Sequence, residues 1–262
     1  MKTLQKQSIH SYNISKYAQQ PVLTVPFEIE RGETQRNVNS KVLKSLFGRL
    51  PHDARVLDLP CGKLLFLKYL KRLYPAARLA GADIIPQDAR HDIEFFQMDL
   101  SREFEIPVYE KFDLITSISG IMMFGNTQKF IENCSERLED NGLLVITNDN
   151  SLTIMDRLRY MFLGRVRMFS PYYENDEAMT QNIHIPELIR LMRINGLNID
   201  KIEYTSFYFR DLIFVPFALL IYPIQYLYLQ RLKTRLPKSI RQQMYQFRHL
   251  LCRHYIITGS KI

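Results

Sequence analysis

The chain has 262 residues, 46% of them hydrophobic and 24% charged, with a formal charge of +8. That length and apolar content suffice to bury a full core as one medium-sized unit, and no internal repeat or low-complexity tract interrupts it. Its three cysteines, Cys61, Cys134 and Cys252, are too few and too far apart for a disulfide framework or a paired-cysteine metal site, which points to reduced thiols.

The first twenty residues are polar and lack the apolar run of a signal peptide, so a cytoplasmic origin is expected. Residues 37–50 place Val38, Val42, Leu43, Leu46 and Phe47 on one face and predict an amphipathic helix. Strands are predicted at 55–59, 77–82, 93–98, 112–118 and 143–147, with helices from Lys63 and over 126–138 between them, and a turn at Glu139-Asp140-Asn141-Gly142. A further helix over 186–196 stops at Asn195-Gly196, a C-cap pattern. Strands six and seven follow at 198–206 and 255–260. Strands alternating with helices imply a parallel sheet with right-handed crossovers.

The segment Arg55-Val56-Leu57-Asp58-Leu59-Pro60-Cys61-Gly62-Lys63 is a buried strand that delivers an acid and a tight turn to a helix start. Backbone N–H groups at such a junction can approach a ligand. Two more acids end the next strands, Asp83 after Ala82 and Asp99 after Met98. A carboxylate can accept from two vicinal hydroxyls at once, and it also accepts well from an exocyclic amine. The plain alternative is an α/β core whose strand-end acids cap helices.

Val56-Leu57-Asp58-Leu59-Pro60-Cys61-Gly62-Lys63-Leu64 resembles the first motif of the class I S-adenosylmethionine (SAM) dependent methyltransferases, V-L-D-L-G-C-G-x-G. The resemblance implies a Rossmann-like α/β fold: a seven-stranded, mostly parallel sheet with helices on both faces, its last strand inserted antiparallel beside the fifth. It also implies SAM as cofactor. Asp58 would lie near the methionine end, Asp83 at the ribose hydroxyls and Asp99 at the adenine amine, with Leu59, Pro60, Cys61, Gly62, Ile84, Leu100 and Ser117 around them. Pro60 and Leu64 replace two glycines of the motif, and Leu64 adds bulk where relatives let backbone approach the cofactor. No metal is implied. The expected organisation is a helical segment over 1–50, a SAM-binding core over 51–152, an acceptor-site lid over 153–185, and the rest of the core over 186–262 with an insertion at 207–253.

That insertion holds an uncharged apolar run from Leu212 to Leu229, a marginal membrane span by length. Pro216 and Pro223 would break a straight helix there. Tyr222, Gln225, Tyr226 and Tyr228 suit a headgroup region. From Leu212 to Ile262 there is no acid, and Arg231, Lys233, Arg235, Lys238, Arg241, Arg248, Arg253 and Lys261 match the whole net charge. Such a stretch attracts phosphate on nucleic acid or on an anionic membrane. Because strands six and seven share one sheet, an in-plane or re-entrant anchor is expected, peripheral on the inner face of the membrane. A buried helix pair or a dimer interface is the alternative.

The run from Asn148 to Arg165 and the segment Asn182-Ile183-His184-Ile185-Pro186 resemble a branch of the family associated with cell-envelope glycan and lipid modification. His184 is the candidate general base for a hydroxyl acceptor, because histidine titrates in the right range. Its competing role is to brace the helix. Tyr172, Tyr173 and Arg165 are candidates for the acceptor pocket. The leading expectation is a methyltransferase acting on a small-molecule, lipid or glycan acceptor at a membrane surface. A nucleic-acid methyltransferase would also explain the basic tail, but Ser117-Ile118-Ser119-Gly120 lacks the Asn/Asp-Pro-Pro-aromatic motif of amino-methylating DNA enzymes. A non-catalytic module with a decayed site stays open through Pro60 and Leu64. A nicotinamide dehydrogenase leaves Asp99 unexplained.

Overall fold

The computed structural model describes residues 28–88, 92–102, 104, 107, 111–169, 181–234 and 236–262. Its strands are β1 (Arg55–Asp58), β2 (Arg78–Asp83), β3 (Ile93–Gln97), β4 (Phe112–Ile118), β5 (Leu138–Asp149), β6 (Leu197–Thr205) and β7 (His254–Lys261). They form one sheet in the order β3-β2-β1-β4-β5-β7-β6. Pairing is parallel from β3 to β5, and β7 runs antiparallel to both β5 and β6. This is the Rossmann-like arrangement that the sequence predicts.

The strands are apolar on both faces because helices cover both. On one face, α1 (Val38–Leu46) and α2 (Leu65–Leu73) bury Val42, Leu43, Leu46, Phe66, Leu67 and Leu70 against Val56, Leu79, Leu114 and Val145. On the other, α3 (Thr127–Glu136), α5 (Ile185–Ile194) and α7 (Lys238–Met244) bury Phe130, Ile131, Leu188, Ile189 and Met244 against Leu57, Ile115, Leu144 and Ile257. Residues with β1 and β4 spacing therefore point alternately into two separate cores.

The turn expected at 139–142 lies inside β5. Asn141 takes a left-handed conformation (φ 64°), and the register to β4 shifts between Phe112 and Leu114. Strand pairing absorbed the Asn-Gly turn as an irregularity because both flanks find partners on β4.

The insertion departs from expectation in two ways. First, α6 (Val215–Arg231) is one helix that continues through Pro223, while Pro216 occupies its first turn, where no backbone N–H is needed. The prolines do not break it. Second, α6 is not half of a buried pair. Ala218 is its buried residue, and Phe217, Leu219, Leu220, Ile224 and Leu227 are exposed. One helical stretch among the described residues, Phe209–Arg231, is long and apolar enough to cross a membrane by length and composition, with 6% of its apolar window buried. Its near end is tied down: Asp211 forms a buried ion pair with Arg253 at 2.5 Å. Along its flank Ile221 and Tyr222 pack on Leu250, Leu251 and Phe247.

Two glycines set how closely the loop after β1 meets β2 and the loop after β4. A Cβ on Gly120 would overlap the ring of Pro60, and a Cβ on Gly81 would overlap Cys61. Gly120→Ala is therefore expected to cost about 1–3 kcal/mol, the usual range for overpacking. Chemical denaturation measures it. In a Pro60→Ala background the same change should cost less, and an unchanged cost would remove the ring contact as its cause.

Candidate functional site

A solvent-open cleft of about 520 Å³ lies at the carboxyl ends of β1, β2 and β4, lined by Asp58, Pro60, Cys61, Gly62, Asp83, Ile118 and Ser119. It sits where the strand order reverses between β1 and β4, the place where open α/β sheets bind ligands. Its outer wall is the segment before α1, with Glu30, Gly32, Glu33 and Thr34.

Asp58 is 2% exposed, with Thr116 Oγ1 donating to its Oδ1 at 2.6 Å. The pairing is set by register, since Asp58 and Thr116 are opposite one another on β1 and β4. Burial pushes the Asp58 carboxyl up to about 7, and the nearby charge of Asp83 adds to the rise while the Thr116 hydroxyl opposes it. A carboxylate in this position is short of a cation. Asp83 is buried too, and its oxygens accept from Gly62 N–H at 2.9 Å and Ile85 N–H at 3.1 Å. Those bonds aim the carboxylate across the cleft floor and leave lone pairs for a ligand.

The other sequence-predicted positions are dispersed around this centre. Leu59 is fully buried in the core, and its N–H donates to Thr116 O. Cys61 lines the cleft, with its thiol pushed up by burial. Ile84 is exposed just beyond Asp83. Asp99 accepts from Ser101 N–H and Oγ–H, which hold its carboxyl below the usual range, and it pairs with Arg102 at 3.3 Å. Asp99 is not part of the cleft lining, and Leu100 is buried in the core. Ser117 is fully buried with no partner for its hydroxyl, while its neighbours Ile118 and Ser119 reach the cleft. Leu64 adopts a left-handed conformation (φ 60°) and turns its side chain into the core, so its bulk does not enter the cleft.

A second, much smaller cavity of about 10 Å³, room for little more than one water, lies beyond the end of β5, lined by Met122, Asn148, Asp149, Ser151, Arg167, Gln181 and Asn182 among others. It is bordered by α4 (Ile154–Leu163) through Asp156. Arg167, not Arg165, is the arginine in this wall, bridging Asp149 at 3.2 Å and Asp156 at 3.4 Å. Asn148, also on this wall, is buried, with its side chain beside the Tyr255 hydroxyl. Asn150 instead braces the chain by donating to His249 O and Cys252 O. His184 is exposed at the start of α5 and makes no capping bond. Its Nδ1 is 3.4 Å from Ser151 Oγ, which places it beside the cavity and not in its lining. Tyr172 and Tyr173 lie outside the described residues. Among the described residues no His, Cys, Asp and Glu cluster could hold a metal ion.

Sequence reading passed over a polar group at this end of the sheet. His254, fully buried at the start of β7, lies 3.3 Å from Ser119 Oγ, 3.1 Å from Thr147 Oγ1 and 3.8 Å from Asp149 Oδ1. The only cue in the sequence was a histidine opening an otherwise apolar strand.

The residues present suit the cofactor that the first motif implies. Asp58 has no positive partner among the described residues, Asp83 faces an open cleft, and Gly62 with Leu64 in left-handed turns opens space above the backbone. A family profile described as methyltransferase domain matches residues 31–202. No curated protein matches the chain. In solved structures, a geranyl diphosphate C-methyltransferase from Streptomyces coelicolor A3(2) is 13% identical, with a TM-score of 0.50 over 86% of this chain and 79% of that one. The cyclopropane synthase MmaA2 from Mycobacterium tuberculosis is 14% identical, with a TM-score of 0.50 over 85% and 84%. An S-adenosylmethionine dependent methyltransferase from Mesorhizobium loti is 12% identical, with a TM-score of 0.50 over 84% and 96%. At these identities the likeness is one of fold.

The raised pKa of Asp58 has a consequence for stability. Between the unfolded value of 3.8 and the folded value of about 7 the native state holds the extra proton, so stability falls as pH rises through that window. Above it the penalty reaches about 4 kcal/mol, an order of magnitude set by three pKa units. Asp58→Asn keeps an acceptor for Thr116 and should raise the unfolding midpoint at pH 8 far more than at pH 4. Equal gains at both pH values would show that Asp58 is not buried as a destabilised anion.

Proposed function

The chain belongs to the methyltransferase-domain family, whose cofactor is SAM, and from that premise we propose that it methylates a small-molecule, lipid or glycan acceptor presented at a membrane surface. The observation that carries the cofactor half is Asp58, a buried acid short of a cation at the mouth of the switch-point crevice. SAM, when bound, supplies a methyl group on a positively charged sulfonium, which is already a good leaving group. The protein's task is then alignment and exclusion of water.

In this reading Asp58 meets the cationic groups of the cofactor, Asp83 accepts from its ribose hydroxyls, and the exposed Ile84 lies toward the adenine, while Asp99 stays with Ser101 and Arg102. The acceptor approaches past the smaller cavity, which itself has room for little more than a water, and the Ser151 hydroxyl can orient a polar group there. His184, beside Ser151, takes the acceptor proton. Glycan or lipid acceptors are favoured over nucleic acid because the exposed surface next to this cavity is apolar. Residues Tyr160, Met161, Phe162 and Leu163 at the end of α4 are 62–74% exposed, and α4 packs against the start of α6 through Ile154 and Ala218.

That pair of helices favours an in-plane anchor. One flank of α6 rests on the protein, with Ile221 and Tyr222 near Leu250, Leu251 and Phe247, so the helix lies along the body of the molecule. Arg231 and Lys233 follow at its end, while Arg235 lies outside the described residues. The site would work from the cytoplasmic side, peripheral on the inner face. A dimer interface through the same exposed helix is the second reading, since bare apolar surface serves either partner.

Calorimetry with SAM tests the core of the proposal. The wild-type chain should bind, and Asp83→Ala should weaken binding by about 1.5–3 kcal/mol, the range for hydrogen bonds to a charged group. Absence of heat with the wild type would end the reading. His184→Ala should spare SAM affinity and lower turnover on membrane lipid or glycan extracts.

For the anchor, Arg231→Glu with Lys233→Glu should release the protein from anionic vesicles, since each positive charge near such a surface contributes about 1 kcal/mol. SAM binding should be unaffected. Equal binding to neutral and anionic vesicles would remove the electrostatic part, and a dimer that dissociates on Leu220→Asp would favour the protein interface.

A further inference from the structure

Three polar side chains from distant parts of the chain, Thr34, Ser119 and His254, follow one another at hydrogen-bond distance from the large cleft inward, with Asp149 beyond them at the small cavity. Thr34 Oγ1 lies 2.6 Å from Ser119 Oγ, and Ser119 Oγ lies 3.3 Å from His254 Nε2. His254 Nδ1 faces Asp149 Oδ1 at 3.8 Å. Thr34 and Ser119 line the large cleft, and Asp149 lines the small one. The line exists because β7 runs antiparallel beside β5, so that the first residue of β7 is opposite the last of β5, His254 against Asp149. That arrangement brings a histidine from near the chain's end to the ligand-binding edge of the sheet.

Ser119 is in an unusual state. It adopts φ 58°, a left-handed conformation that a serine rarely takes. Its N–H is held by Thr147 O and Thr147 Oγ1, both at 3.1 Å. The hydroxyl therefore has its direction fixed from both sides of the residue. His254 Nε2 is within reach of two hydroxyls, Thr147 Oγ1 at 3.1 Å and Ser119 Oγ at 3.3 Å; in the neutral tautomer with its proton on Nδ1 it accepts from them, and Ser119 Oγ in turn accepts from Thr34.

We propose that His254 is a positioning residue of the cofactor cleft: its imidazole, buried and held beside Thr147, fixes the Ser119 hydroxyl and through it Thr34, so that both present a set geometry to the bound cofactor. Resting on the SAM reading above, the inference adds a residue that lines neither cavity. The charged groups around the imidazole are Asp149 and, behind it, Arg167, which shares the same carboxylate oxygen. Thr205 of β6 is its uncharged partner on the other side. Burial first, with Arg167 opposing Asp149, keeps the ring below its ordinary pKa, so at neutral pH the accepting form is the one present.

The test is SAM calorimetry on the full chain at pH 7.5. Ser119→Ala should weaken binding roughly three- to ten-fold, the equivalent of one ordinary hydrogen bond. His254→Leu should weaken it by a similar factor, and the Ser119→Ala/His254→Leu pair should be no weaker than either change alone. His254→Gln, whose amide oxygen can reach the Nε2 position, should recover much of the affinity. Multiplying effects in the double variant, or equal loss with Gln and Leu, would overturn the proposal. Should His254→Leu fail to fold, ¹⁵N spectra of the imidazole in the wild-type chain decide instead. Nε2 should shift on adding SAM, and an unchanged resonance in a SAM-saturated sample would assign His254 to the core alone. A wild-type chain that does not bind SAM would instead sink the functional reading itself, and affinity unchanged by both substitutions would sink only this one.

Discussion

Everything at the functional end of this protein follows from the reversal of strand order between β1 and β4. The chain leaves β1 toward one face and β4 toward the other, so the two loops part and a crevice opens between them. How wide it opens is set by contact. Pro60 lies on Gly120, and Cys61 lies on Gly81, in places where any side chain would collide. The same closeness puts Asp58 beside Thr116 and within the influence of Asp83, away from solvent. A core that buries an acid this way pays in stability for a site that waits for positive charge.

Carrying β7 between β5 and β6 has a different effect. An antiparallel last strand begins at the end of the sheet where the parallel strands finish, so His254 arrives among Ser119, Thr147 and Asp149. It also means that the connection from β6 to β7 starts and ends near that edge. The insertion there lays α6 along the flank of the molecule, held by the Asp211–Arg253 ion pair and by Leu250 and Leu251. An apolar helix with so little cover, adjoining the bare end of α4, concentrates unburied hydrophobic surface next to the smaller cavity.

Much of this was legible in the sequence. The seven strands and the major helices fall where apolar periodicity puts them, because a sheet covered on both faces needs continuous apolar runs and covering helices need one apolar face. Asp58 and Asp83 could be assigned to one site because acids ending adjacent parallel strands must emerge on the same edge. Errors arose where a local rule met a stronger tertiary term. Asn141-Gly142 reads as a turn, yet both sides pair with β4. Pro223 reads as a helix breaker, yet one missing hydrogen bond did not outweigh the others in a helix of seventeen residues. Leu64 reads as an obstruction in the cleft, yet its backbone takes the glycine conformation and its side chain goes inward.

The sequence by itself determined the class of fold, the strand-end acids and the uncharged run followed by basic residues, since each is a matter of periodicity, spacing or composition along the chain. Only the tertiary structure decided which of those residues share a site. Asp99 bonds its own loop and stands outside the cleft lining, Ser117 is buried where Ser119 is presented, and Arg167 takes the place expected of Arg165. Tertiary structure also decided that α6 is exposed and that His254 meets Ser119 across 135 positions. The physical reason is that burial and long-range hydrogen bonds depend on strand order and register, which neighbouring residues do not encode.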